Sequence, residues 1–452
     1  MKVLKFGGTS VGTVESLTNV KQIVESCDEQ VIVVVSALGG FTDKLIATAK
    51  MAEKGDEAYL EEVGQMIKRH ADIVEALVPA ERQSELNAEI RALFEALQRV
   101  YKGIFLLEEL STRSLDKVVS FGERLSSRIV TNIISDAVLF DSLKFIKTIR
   151  RFGKHVLNGE LTEKLVHETF DTANFKTAIV PGFISTDSNG IITNLGRGGS
   201  DYTAAILAAS LNAHTLEIWT DVDGFMTADP RIITGTKVIP TLSFIEAMEL
   251  CNFGAKVIYP PTIYPVFHKN IPIYIKNTFN PSAPGTCVRD IKEKHDFYTK
   301  GVSSINDSCL ITVNGKMWDA KIGQRVLNTL ARNGISVLLV SNALKQAATT
   351  FAISGSDAPQ ATEALEKEFA AELETNSLNI PTVDKELSTI ALVAEGMRFL
   401  PAVAEQLQQC LVQAGISVLA KTQGTPETSL AFVVPAAERK QALQIVHNEF
   451  FS

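Results

Sequence analysis

The first residues able to do chemistry lie at the start of the chain. An apolar run, Val3-Leu4 and Phe6, carries Lys5 to Gly7 and Gly8, and Thr9-Ser10-Val11 come next. Lysine is a compact cation for phosphoryl oxygens. Glycine lets the backbone approach a ligand, and amide N–H groups at a strand-to-helix turn suit an anion. The stretch is neither GxxxxGK[ST] nor GxGxxG, so the common phosphate-loop and dinucleotide readings do not apply. An ordinary glycine turn is the competing reading.

Further groups repeat the theme. Ser36-Ala37-Leu38-Gly39-Gly40-Phe41-Thr42-Asp43 places glycines and hydroxyls after an apolar run. Asn194-Leu195-Gly196-Arg197-Gly198-Gly199-Ser200-Asp201-Tyr202 combines glycines that can wrap a ligand with an arginine able to grip a carboxylate through two parallel hydrogen bonds. Ser200 and Asp201 fall near an expected helix start, where simple N-capping is the alternative. Glu123 and Arg124 follow Gly122 in an apolar helical context, and a solvated charge pair competes with a functional role there. Trp219-Thr220-Asp221-Val222-Asp223-Gly224 reads as a strand ending in acidic and hydroxyl residues, where Asp221 and Asp223 could organise Mg²⁺. Arg231, in Asp229-Pro230-Arg231, and Lys256, in Phe253-Gly254-Ala255-Lys256-Val257, could meet phosphates, although a turn and a surface lysine are common.

The elements that must position these groups follow from periodicity. Val31–Val35 is an unbroken β-branched run, a strand buried on both faces as in a parallel sheet covered by helices. Glycines just past its carboxyl end stand where open α/β sheets bind ligands. A helix is expected over about 14–27, and 44–134 is mostly helical. The segment 137–178 reads as short strands with a hairpin-like connection and a helix near 161–170. A strand over 177–184 exits through Pro181-Gly182, an alanine-rich helix spans 203–211, and 271–276 is one more strand. The charged run 289–296 marks the best domain boundary. Beyond it Asn333-Gly334-Ile335-Ser336-Val337-Leu338 recurs as Ala414-Gly415-Ile416-Ser417-Val418-Leu419, 81 residues on, each read as a strand within a βαββα unit. Such duplication is first a structural module, with an oligomerisation arm as the plain alternative.

Composition narrows the class. The 452 residues suit two or three domains at roughly 100–200 residues each. With 45% hydrophobic and 21% charged residues the chain reads as globular. A net charge of −8 without a long basic run argues against nucleic acid. Five scattered cysteines without a CxxC pair suggest reduced thiols in a cytoplasmic protein, and seven dispersed histidines give no zinc spacing. No apolar run reaches the ~18 residues of a membrane span.

Taken in order, Lys5–Val11, Phe121-Gly122-Glu123, Gly196–Tyr202, Trp219–Gly224, Asp229-Pro230-Arg231 and Gly254-Ala255-Lys256-Val257 resemble aspartate kinases of the amino-acid kinase superfamily, and the duplicated tail resembles their two ACT modules. Ile275-Lys276-Asn277-Thr278, Pro281, Ala283-Pro284-Gly285-Thr286 and Glu395-Gly396-Met397-Arg398 look most similar to the kinase arm of bifunctional aspartate kinase–homoserine dehydrogenases. No GxGxxG dehydrogenase segment follows, so the chain is expected to be either monofunctional or a piece of a longer protein. The resemblance implies an α/β fold with a mainly parallel sheet between helices, followed by two ferredoxin-like βαββα modules. The expected domains are a kinase domain over 1–288, a linker over 289–300, and ACT modules over 301–375 and 385–452.

The implied reaction is ATP + L-aspartate → ADP + 4-phospho-L-aspartate, with Mg²⁺, the first step towards lysine, threonine and methionine. By resemblance, Lys5 contacts the phosphates, and Asp201 orients it. Gly7, Gly8, Ser36, Thr220, Asp221, Met226, Arg231 and Lys256 match nucleotide-binding positions. Arg197 holds the α-carboxylate, Glu123 takes the ammonium, and Thr42, Ser200 and Phe183 complete the substrate site. Met226 stands where the family often has a tyrosine, and Tyr259-Pro260-Pro261-Thr262 where it often has HPxT. Amino-acid effectors bind ACT modules of this type. Lysine-sensitive relatives carry an aspartate where Leu338 stands, whereas threonine-sensitive ones carry a glutamine in both copies, here Asn342 and Gln423. That pattern favours threonine over lysine, and pairing of ACT modules implies a homodimer or larger assembly. Two other readings compete: a related kinase acting on another acidic substrate such as glutamate, and a catalytically dead amino-acid sensor.

Overall fold

The computed structural model describes residues 1–151, 154–291, 298–316, 320–343, 348–394, 396–397, 401–423 and 428–451. Glu395 and Arg398 of the expected motif, and most of the charged connector, lie outside them. The chain divides into two compact units, one of Met1–Phe225 with Ile258–Asp290 and one of Met226–Val257 with Ile291–Ser452.

In the first unit seven strands are joined: β1 (Lys2–Phe6), β2 (Val31–Val35), β3 (Ala137–Leu139), β4 (Thr177–Pro181), β5 (Leu216–Thr220), β6 (Ile273–Asn277) and β7 (Thr286–Val288). Their order is β7-β6-β5-β1-β2-β4-β3. Every pair is parallel except β6–β7. All five residues of β2 are buried. A β-branched run of this kind is stable only when both faces of its sheet are covered. Four helices carry or border the residues singled out by their chemistry: α1 (Val14–Glu25), α2 (Phe41–Glu53), α3 (Phe121–Ile133) and α4 (Gly199–Ser210). Between α2 and α3, long helices over Tyr59–Leu77 and Ala80–Leu107 put Val63, Ile73, Leu93, Phe94 and Leu97 into one core with Leu4, Val33 and Phe41. Two boundaries differ from expectation. Helix α4 starts at Gly199 rather than near 203, because Gly198 takes a left-handed cap (φ 66°) that lets the following residues turn at once. The strand expected over 177–184 ends at Pro181, and Ile184–Thr186 instead forms a separate hairpin with Ile192–Asn194.

The second unit holds a six-stranded antiparallel sheet of β8 (Gly301–Asn314), β9 (Val337–Ala343), β10 (Ala348–Ser354), β11 (Thr382–Val393), β12 (Ala420–Gln423) and β13 (Ser429–Pro435). Its order, β9-β10-β8-β11-β13-β12, joins two βαββα modules through β8 and β11, with Val302 opposite Leu392. The repeated GISV motifs prove to be helix stops more than strands. Gly334 and Gly415 have φ of 70° and 71°, and Ile335 and Ile416 donate back to Leu330 and Leu411 at 3.0 Å each. That is the left-handed glycine cap with its backward hydrogen bond. In the first copy the strand begins only at Val337, and in the second at Ala420. Asn342 and Gln423 lie in β9 and β12, opposite Thr349 and Leu430. Among the described residues no helix is long and apolar enough to cross a membrane.

Candidate active site

Parallel pairing places the carboxyl ends of β1, β2 and β4 side by side, and the loops that leave them line one cavity of about 380 Å³. That lies within the ~300–1,000 Å³ usual for small-molecule sites. Lys5, one residue short of the end of β1, pairs in register with Val34 and Ile218. Its Nζ lies 2.6 Å from Asp201 Oδ1, as an ion pair rather than an aligned hydrogen bond. Asp201 is in the first turn of α4.

Two helices aim their amino ends at the cavity. Gly40 before α2 (φ 73°) and Gly198 before α4 are both left-handed caps with no side-chain cap bond. Gly40, Thr42 and Asp43 from the one, and Gly198, Gly199 and Ser200 from the other, line the wall. Uncapped helix amides attract anions. Ser200 is therefore inside the helix and does not cap it, which removes the N-capping alternative.

Glu123 on α3 is buried and also faces the cavity. Its Oε1 accepts from the Ala37 N–H at 3.1 Å, while Oε2 has no partner among the described residues. Burial pushes its carboxyl up to about 8, against the smaller opposing effect of the backbone bonds. A cation beside the free oxygen would favour the ionised form again, so the site suits a small cation such as an ammonium group. Arg197 also lines the cavity; it is exposed and pairs with no carboxylate among the described residues. Phe183 completes the wall with φ of 65°, a conformation costing about 1–3 kcal/mol in a non-glycine residue. It is held because its N–H donates to Thr203 Oγ1 at 3.1 Å and its carbonyl accepts from Leu195 at 2.9 Å.

Lys5, Gly8, Ser36, Thr42, Glu123, Phe183, Arg197, Ser200 and Asp201 thus meet in one cavity. Gly7 stands beside it, with its N–H on the Trp219 carbonyl at 3.2 Å. Thr220 and Asp221 are in the same unit but do not line the cavity; Asp221 is exposed and accepts from Thr220 Oγ1 at 3.2 Å. Asp223 is engaged, since its Oδ1 takes the Asn277 and Asn280 amides at 2.8 and 3.2 Å. Among the described residues no cluster of three metal-ligand side chains occurs. Met226, Arg231 and Lys256 belong to the second unit. There Arg231 forms two bonds to Asp229 at 2.9 and 2.7 Å, which hold the Asp229 carboxyl below its usual range, and Lys256 is exposed. Sequence reasoning passed over Arg69, whose guanidinium contacts the loops after β1 and β2 from a helix that carries no motif.

Known proteins resemble this chain in both its N-terminal and its C-terminal parts. A model of the amino acid kinase family matches residues 1–277, and an ACT domain model matches 390–450. A bifunctional aspartokinase/homoserine dehydrogenase of Haemophilus influenzae is 34% identical, covering 100% of this chain and 57% of that protein. The chain therefore spans little more than half the length of this relative. Lysine-sensitive aspartokinase 3 of Escherichia coli is 30% identical, with 99% of each chain covered. The crystal structure of E. coli aspartokinase III in complex with aspartate and ADP, in its R-state, superposes with a TM-score of 0.86 at 28% identity over 100% of both chains. The T-state complex of the same enzyme with lysine and aspartate gives 0.77.

Proposed function

We propose that this chain, which belongs to the amino acid kinase family and within it to the aspartokinases, transfers the γ-phosphoryl group of ATP to the side-chain carboxylate of L-aspartate. The observation that carries the reading is the composition of one cavity: a paired lysine, a buried carboxylate with a free oxygen, an arginine with no carboxylate partner among the described residues, and two uncapped helix ends. An α-amino dicarboxylic acid presents the complementary groups. Its ammonium meets Glu123, its α-carboxylate meets Arg197, and Thr42, Ser200 and Phe183 shape the remainder.

The acceptor is the substrate's own side-chain carboxylate, ionised near neutral pH, so no strong general base is needed. Phosphoryl transfer then depends on alignment and charge neutralisation. Lys5 serves the transferred group from the end of β1, and Asp201 holds its ammonium in place. Gly7, Gly8 and Ser36 offer close backbone, while Thr220, Asp221, Met226, Arg231 and Lys256 serve the nucleotide. Mg²⁺ bound with ATP would supply neutralisation of phosphate charge. Exposed Asp221 would be the residue to hold it, since Asp223 Oδ1 already accepts from two amides.

The wider reading follows the same logic. The kinase domain covers 1–288, a linker 289–300, and ACT modules 301–375 and 385–452. The reaction opens lysine, threonine and methionine synthesis in the cytoplasm. The ACT modules mediate feedback inhibition by an amino acid, threonine rather than lysine, through Asn342 and Gln423, and pair the chain into a homodimer or larger assembly. The test is acyl-phosphate trapping with hydroxylamine. Hydroxamate should form from aspartate and ATP but not from glutamate, and threonine should suppress it. Suppression by lysine alone would overturn the effector assignment; product from glutamate but not aspartate would overturn the substrate.

A further inference from the structure

The loops that leave β1 and β2 touch through bare backbone. A Cβ on Gly39 would stand 3.0 Å from the Gly8 carbonyl oxygen, and one on Gly12 would stand 3.1 Å from that oxygen and 3.3 Å from the Gly39 nitrogen. Three glycines thus form a seam with no side chain between the loops. The carbonyls of Gly12 and Gly39 both lie within reach of one donor, and a carbonyl withdrawn from water needs such a partner. Arg69 supplies it. Its Nη2 donates to the Gly12 oxygen and to the Gly39 oxygen, each at 2.9 Å. One terminal guanidinium nitrogen carries two N–H groups, so one atom serves both loops. Arg69 is half-buried on the Tyr59–Leu77 helix and pairs with no carboxylate among the described residues. Burial without an acidic partner lowers its basicity.

We propose that Arg69 is a positioning residue that clamps the Lys5–Gly12 loop to the Ser36–Gly40 loop and so sets the distance between phosphoryl donor and acceptor. The inference rests on the phosphoryl-transfer reading above. Lys5 and Gly8 belong to one loop. The second loop lines the acceptor side of the cavity, and its Ala37 N–H anchors Glu123. Each loop keeps its own binding groups when the clamp is lost; what changes is their mutual spacing. Alignment matters more to the chemical step than to ground-state binding.

Two measurements on the full chain test this, one of them independent of turnover. Hydrogen exchange should quicken in Arg69→Met within peptides covering 7–13 and 36–41, while β2, β4 and α4 keep wild-type protection. In the hydroxamate assay Arg69→Met should lose about tenfold to hundredfold in kcat. KM for aspartate and for ATP should stay within about threefold. Arg69→Lys, which can still donate to both carbonyls, should retain part of the rate. Arg69→Ala should recover rate saturably with millimolar guanidinium, which is too dilute to alter the stability of a merely destabilised fold. Unchanged exchange in either loop, exchange raised throughout the unit, or an unaltered kcat would overturn the clamp. Loosened loops in a chain whose wild type makes no hydroxamate would sustain the clamp and reject the kinase reading instead.

Discussion

Replacing Glu123 by glutamine should make the first unit more stable, and increasingly so as pH rises. The glutamine keeps the shape and still accepts the Ala37 N–H through its carbonyl oxygen. In the native state the Glu123 carboxyl is pushed up to about 8 from its ordinary value of 4.5, chiefly by burial. Below pH 4.5 the group is protonated in both folded and unfolded chains, so its stability contribution is intact. Between pH 4.5 and 8 the unfolded chain releases the proton while the folded chain retains it, and stability falls. Above pH 8 the loss is complete. Each pH step within that window costs about 1.4 kcal/mol, so the advantage of Glu123→Gln should widen by about 4 kcal/mol between pH 5 and pH 9. Urea unfolding can be followed by the fluorescence of Trp219, which is 3% exposed and stacks on Phe6, with Trp318 changed to Phe in both proteins. A stability difference that stays constant across this range would refute the claim that Glu123 is a desolvated, uncompensated carboxylate.

Other perturbations probe the same frame. A Cβ at position 122 would stand 2.6 Å from the Ala37 Cβ, so Gly122→Ala should cost about 1–3 kcal/mol by overpacking and raise KM for aspartate more than it changes kcat. His70 is buried between Phe41 and Phe94, with its Nδ1 against the Met66 carbonyl at 2.8 Å and its pKa lowered to about 4 by burial. The unfolded chain takes up that proton first as pH falls from 6.5 to 4. Wild-type stability should therefore drop by up to about 3 kcal/mol over that window relative to His70→Leu, measured by paired urea titrations.

The residues that line the cavity were legible where they cluster in the chain. Lys5 with its glycines, Gly122-Glu123, and Gly196–Asp201 each combine special residue types within a few positions, and the fold brings all three to one cavity. Binary pattern marked β2 to the residue, since a run of five buried β-branched side chains has few other homes. What escaped depends on long-range packing or on cap geometry. Arg69 looks like any basic residue on an amphipathic helix; its two carbonyl partners lie 57 and 30 positions away in the chain. The glycine-rich start of α4 reads as loop, because left-handed capping by Gly198 depends on backbone angles that composition does not encode. The repeated GISV motifs looked like strands from their β-branched residues, yet each glycine ends a helix first. The grouping of Met226–Val257 with the C-terminal part is likewise non-local. It includes a buried hydrogen bond of 2.9 Å between Thr227 and His447 that no sequence window could span.

The most direct test of the account is the removal of the Lys5 side chain. Lys5→Ala should keep the wild-type fold by circular dichroism and lose about 10²–10³-fold in the rate of aspartate- and ATP-dependent hydroxamate formation, because a preorganised cation at the transferred group is gone. A well-folded Lys5→Ala protein that forms aspartyl hydroxamate at the wild-type rate would contradict the assignment of this cavity to phosphoryl transfer.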